Sequence, residues 1–158
     1  MREVYCRSAK EALEKNNEIM VIVTTYETPN AVRQMLGEYE VDVKKCESDG
    51  SLVIIDSVQA YQMVTFYGVL KLIQLLAKRA ENDGKDGIFS LADMGSFFLF
   101  DRENELVNYE VSIPKTIDMR LKAFCCYHEN DFSFKLTKDH QTQLINHHHK
   151  AINPSIFH

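Results

Sequence analysis

Ile19-Met20-Val21-Ile22-Val23-Thr24-Thr25 is the stretch whose reading decides the fold. It is short, rich in β-branched residues and apolar on both faces, which marks a strand buried within a parallel sheet. Its flanks read as helices. Upstream, Ser8–Asn17 has helical composition, with Ser8 as its N-cap. Downstream, Thr28-Pro29 opens a helix running through Leu36: threonine caps it, proline suits the first helical position, and Gly37 marks its end.

The alternation continues outward from there. The turn Ser48-Asp49-Gly50 leads into a second strand, Leu52-Val53-Ile54-Ile55-Asp56. Tyr61–Asn82 then reads as the strongest helix of the chain, with Lys71, Gln74 and Lys78 as a narrow polar stripe. A helix this apolar must be covered on most sides, by a sheet or by a partner subunit. Asn82–Gly87 breaks the pattern and delivers a third strand, Ile88–Asp93. The stretch Met94–Phe98 turns into a helix expected to continue through Glu103–Val111 and to stop at Pro114. A fourth strand is expected over Lys122–His128. Thr137 or Asp139 caps a last helix ending near His148, and Ala151–Phe157 adds a short edge strand. Strands separated by helices imply βαβ units with right-handed crossovers. The expected fold is therefore a three-layer α/β fold: a mainly parallel central sheet flanked by helices, in a single domain spanning residues 1–158. Repeats, low-complexity tracts and linkers are not evident.

A chain of 158 residues, 45% hydrophobic and 26% charged, has the composition of a globular domain. Eighteen Lys and Arg against 23 Asp and Glu leave a formal charge of −5, so the dense basic face that nucleic acid or an anionic membrane requires is not expected. The N-terminal residues lack the apolar core of a signal peptide, and no apolar run is long enough to span a bilayer. The expected location is cytoplasmic. Cys6 and Cys46 are isolated, Cys125 and Cys126 are adjacent, and no C-x-x-C pair occurs, which fits reduced thiols rather than a disulfide or a structural zinc site.

In open parallel sheets, ligands gather at the C-terminal ends of the strands. Those ends carry Thr24, Thr25 and Glu27; Asp56 and Ser57; Asp93 and Ser96; Tyr127 and His128. Three carboxylates among them suffice for a Mg²⁺ ion or a general base; equally, they cap the helices that follow. Ile88–Asp93 resembles a Walker B strand with Asp93 as its metal-binding end. Its necessary companion is missing, because no G-x-x-x-x-G-K-[ST] occurs and the six glycines are scattered at 37, 50, 68, 84, 87 and 95. Without that loop the β- and γ-phosphates have no cradle, and ATP hydrolysis is not expected.

The histidine run His147-His148-His149 does not converge on a metal, since consecutive helical residues splay by about 100°. Its expected role is to favour the negative end of the helix dipole. On a strand, Cys126 and His128 share one face and Cys125 lies on the other. Thiol catalysis would also need an oxyanion site and a group to orient the histidine, so a small buried cysteine is the expected reading. Tyr109-Glu110 either pins its helix to a neighbouring loop or contributes to a pocket.

Taken in order, Val23–Pro29, Leu52–Asp56, Ile88–Phe98, Tyr109-Glu110, Lys122–His128 and His148–Ile152 resemble the sensory domain shared by methanogens and methylotrophs (MEDS), a derived branch of the RecA/KaiC ATPases. The resemblance covers almost the whole chain through short, degenerate motifs. It implies a RecA/KaiC-like fold that lacks the P-loop, with the first strand missing or reduced to Glu3–Cys6. It aligns Glu27 with a catalytic-glutamate position, Asp93 with the Walker B aspartate, Tyr109-Glu110 with the family's Tyr-Glu pair, Cys125–His128 with its Cys-x-Tyr strand end, and His148 with a late histidine. That histidine precedes proline in the family pattern and His149 here. The implied function is sensing in signal transduction, through a small molecule or a signalling protein, with homo-oligomer formation as a further expectation. The candidate ligand-binding residues are Thr25, Glu27, Asp56, Asp93, Ser96, Tyr109, Glu110, Tyr127, His128 and His148. No catalytic residue, resident metal or cofactor is expected. The alternatives are a divergent Mg²⁺–nucleotide hydrolase, with Asp93 on the metal and Glu27 activating water, and a structural assembly subunit.

Overall fold

A computed structural model describes residues 2–113 and 120–148. Four parallel strands form its sheet: β1 (Glu18–Thr24), β2 (Leu52–Asp56), β3 (Gly87–Asp93) and β4 (Leu121–Cys126), in the order β2-β1-β3-β4. Every residue of β1 is buried, as its unbroken apolar run requires. In register, Val21 lies beside Val53 and Ser90, and Asp93 lies beside Cys126. The α/β architecture read from the sequence, helices flanking a parallel sheet, is the one observed.

The two sheet faces are covered differently. On one face, Met20 and Ile22 of β1, Leu52 of β2, and Phe89 and Leu91 of β3 pack with Tyr5, Cys6 and Ala9 of α1 (Arg2–Lys10) and with Val32, Met35 and Leu36 of α2 (Pro29–Glu38). A short helix, α3 (Val43–Ser48), adds partly buried Val43 and Cys46 to that side. On the other face, Ile19, Val21 and Val23 alternate with the first set and meet Leu76, Ala77 and Ala80 of α4 (Ser57–Asn82). Beside Tyr61 in the first turns of α4, α5 (Gly95–Leu99), α6 (Glu103–Ser112) and α7 (Lys138–His147) build a third cluster around Phe97, Phe98, Leu106 and Leu144. This cluster also takes Ala92 of β3 and Cys125 of β4.

Several local readings need correction. The first helix begins at Arg2 and continues through a π-helical turn at Glu11–Lys15, so Ser8 is an interior residue and not a cap. The buried stripe Tyr5, Ala9, Ala12 starts before Ser8, and burial of that stripe outweighs the capping signal. The α4 helix starts at Ser57, four residues earlier than its apolar run, because the Asp56 carboxylate accepts from Val58 N and Gln59 N, each at 3.0 Å. The helix expected over Met94–Val111 is interrupted: Asp101 sits at φ +51°, a left-handed conformation that separates α5 from α6. The fourth strand ends at Cys126, so Tyr127 and His128 lie just beyond it. Thr28 and Thr137 cap α2 and α7 as expected, accepting from Ala31 N and His140 N. Pro114 and the edge strand expected at Ala151–Phe157 lie outside the described residues.

The polar stripe of α4 is exposed, but so are Met63, Leu72 and Leu75. The sheet covers one side of this helix rather than most of it. No helix among the described residues is long and apolar enough to cross a membrane.

Candidate functional site

Strand alternation divides the candidate residues between two opposite sides of the sheet, at the same end. Asp93 shares its face with Phe89 and Leu91, toward α1 and α2. Cys125 and, beyond the strand, Tyr127 belong to the opposite side, with α6 and α7.

On the α1 side, Asp93 is 8% exposed. Its carboxylate accepts backbone N–H groups from Gly95 at 2.9 Å, Thr25 at 3.3 Å and Tyr26 at 3.4 Å. Burial nevertheless raises its pKa above the ordinary carboxylate value, against the pull of these three donors. The Thr25 hydroxyl bonds Ser57 Oγ at 2.8 Å and donates to the Asp93 carbonyl at 3.1 Å, so β1, β3 and the start of α4 are stitched together. Thr24 Oγ1 donates to the Glu27 carbonyl at 2.7 Å and holds the loop after β1. Around them stand Tyr5, whose hydroxyl burial pushes far up, and Tyr26, which donates to Asp131 and meets the His128 ring edge-on at 5.8 Å. Cys126 is also here, its thiol pushed up to about 12 by burial, with the Asp93 charge adding. Both oxygens of Asp93 are thus engaged by backbone. The arrangement ties loops together and presents no open carboxylate. Asp56 is likewise occupied, as the cap of α4.

The other side carries a different polar group. Glu110 of α6 is 2% exposed, within the apolar cluster that Leu106, Val107 and Leu144 help to form. Tyr127, just past β4, donates its hydroxyl to Glu110 Oε1 at 3.0 Å. His148, at the C-cap of α7, brings Nε2 to 3.4 Å from Glu110 Oε2. This contact raises the His148 pKa above the usual imidazole value, burial opposing it. Cys125 completes the group: one ligand atom from each of Glu110, Cys125 and His148 falls within 4.8 Å of the others. Burial pushes the Cys125 thiol well up, and the neighbouring Glu110 charge adds to that. Tyr127 behaves the same way, for the same two reasons. The end of α7 is fixed by His147, whose Nε2 lies 2.8 Å from the Ile113 carbonyl.

Of the sequence-predicted residues, the fold brings Glu110, Tyr127 and His148 together on one side and places Thr25, Asp93 and His128 in the group on the α1 side. Tyr109 meets the Phe97 ring at a tilt, with centroids 5.6 Å apart, beside the Glu110 cluster, and Ser96 is buried in α5. Cys125, which the family resemblance had aligned with a Cys-x-Tyr strand end, was absent from the candidate ligand-binding residues, as were Tyr5, Tyr26 and Asp131. Cys125 had a signal: it lies two residues before Tyr127, a spacing that keeps both on one side of an extended chain. Tyr5 and Asp131 had none, because only tertiary packing brings them to Asp93. At the opposite end of the sheet, a groove of about 600 Å³ is lined by Lys15, Asn16, Glu18, Asp86, Arg120, Leu121 and Lys122.

No curated protein and no solved structure gives a significant match to the chain. A protein-family model does, over residues 1–149, and this span takes in all four strands and both polar groups. The chain therefore belongs to the MEDS family, the methanogen/methylotroph, DcmR sensory domain.

Proposed function

We propose that this chain senses a small ligand at the Glu110 cluster and signals its occupancy to a partner protein through α7, without P-loop ATPase chemistry. The observation that carries this reading is Glu110 itself: a carboxylate 2% exposed, held by side chains that come from beyond β4 and from the end of α7. A buried charge in an apolar setting is costly unless its partners are in place. Anything that replaces or rearranges Tyr127 or His148 around Glu110 therefore shifts the balance between two positions of α7. A ligand does so only by binding the two arrangements with different affinity. Membership in a sensory-domain family supports the reading, as does the absence of a phosphate-cradling loop in the sequence. The hydrolase alternative is disfavoured by the engagement of both Asp93 oxygens with backbone N–H groups.

A thermal-shift screen of nucleotides and small metabolites tests it. A ligand at a hundred times its Kd stabilises by about 2.7 kcal/mol, roughly 5–10 °C in Tm for a chain of this size. At least one non-nucleotide compound is expected to give such a shift and to lose most of it in Glu110→Gln, while Mg²⁺–ATP gives none. A shift from Mg²⁺–ATP that survives Glu110→Gln, with no other compound active, would overturn the proposal.

A further inference from the structure

We propose that Glu110, Cys125 and His148 bind one divalent transition-metal ion of the zinc type, leaving a fourth coordination position open to solvent or ligand. The donor set is thiolate, imidazole and carboxylate, the mixture that borderline ions such as Zn²⁺ and Co²⁺ take and that Mg²⁺ and Ca²⁺ do not. The geometry is close to what such an ion needs. With metal–ligand bonds of about 2.0–2.3 Å, adjacent donors of a tetrahedral site stand about 3.4–3.6 Å apart. Glu110 Oε2 and His148 Nε2 stand 3.4 Å apart, and all three donors lie within 4.8 Å of one another.

The surroundings fix each donor for the task. His148 Nδ1 lies 2.7 Å from the Leu144 carbonyl, which only accepts, so Nδ1 carries the hydrogen. In the neutral ring that leaves the Nε2 lone pair aimed at Glu110, and a histidine held by its other nitrogen on a carbonyl is the usual support of a metal ligand. The Tyr127 hydroxyl occupies Glu110 Oε1 at 3.0 Å and leaves Oε2 for the ion. Two acceptor atoms, Nε2 and Oε2, thus face each other and require a cation between them, either a proton or a metal. Uptake of the metal expels the Cys125 thiol proton, and any proton on His148, to the buffer. The product, one dication with one thiolate and one carboxylate, is neutral overall, which suits a site built among Leu106, Val107 and Leu144. The three ligands come from α6, β4 and the end of α7, so the ion would lock these elements together. The inference rests on the proposed sensing site only for the role of the open position.

The full chain, reduced and metal-free, is titrated with Co²⁺ and then Zn²⁺. Expected is saturable binding of one Co²⁺ with a thiolate-to-cobalt charge-transfer absorption, bleached by Zn²⁺. Cys125→Ser should abolish that absorption and Cys126→Ser, on the opposite face, should retain it. Tyr127→Phe should keep the absorption and weaken affinity roughly 10- to 100-fold. Zinc-edge X-ray absorption of the unmutated chain, which needs no variant to fold, should report one sulfur among nitrogen and oxygen ligands. No binding, binding without sulfur as a histidine run alone would give, or an absorption that follows Cys126 would each overturn the proposal. A metabolite that stabilises the metal-free chain through Glu110 would overturn the role given to the open position while leaving the sensing reading standing.

Discussion

Asp93 is surrounded by backbone N–H donors, whereas Glu110 is surrounded by side chains, and the two carboxylates answer to different forces. At Asp93 burial outweighs three hydrogen bonds, so its folded pKa lies above the 3.8 of the free carboxylate. The sign follows directly: the folded state holds this proton more tightly than the unfolded chain does. The associated stability is fully present below pH 3.8 and is lost as pH rises through the folded value. Across that window the urea midpoint of the wild type is expected to fall relative to Asp93→Asn, and parallel pH profiles would contradict the assignment. At this scale the sequence was only partly legible. Asp93 stood out as the end of an apolar strand, and Glu110 and His148 through family resemblance. That Cys125 joins them depends on which way β4 faces, and this is settled by packing of Ala92 and Cys125 under α5 to α7.

The elements were legible where a local signal matched a packed face. Thr28-Pro29 and Thr137 mark real helix starts because their hydroxyls satisfy N–H groups that would otherwise be orphaned. The short α3 helix escaped notice because it has no buried residue and so no apolar period to read. The break at Asp101 escaped because a single left-handed residue leaves no pattern. Asp56, expected among ligand-binding residues, has a definite task as the cap of the longest helix. Asp56→Ala should cost about 1 kcal/mol, lowering Tm by roughly 2–4 °C, whereas Asp56→Asn stays near wild type. Equal Tm values for wild type and Asp56→Ala in thermal denaturation would show that the carboxylate does not support α4.

Across the whole molecule, a parallel sheet with β1 and β3 at its centre carries polar groups on both sides of its C-terminal edge. One side of that edge is closed by loops stitched to Asp93, and the other holds the Glu110 cluster where α6, β4 and α7 meet. The parallel frame could be read from apolar runs and their spacing; the division of polar groups between two faces could not, since it needs the register Ala92–Cys125 and Asp93–Cys126. If the Glu110 cluster is the sensing site, occupancy must change the opening of the helices that build it more than the opening of the sheet. Hydrogen–deuterium exchange, with and without the compound that stabilises the chain most, measures this directly. Added protection is predicted over residues 103–112 and 138–148, with the already buried β1 unchanged. Protection confined to the Thr25–Asp93 loops, or to the groove between Lys15 and Lys122, would contradict the account.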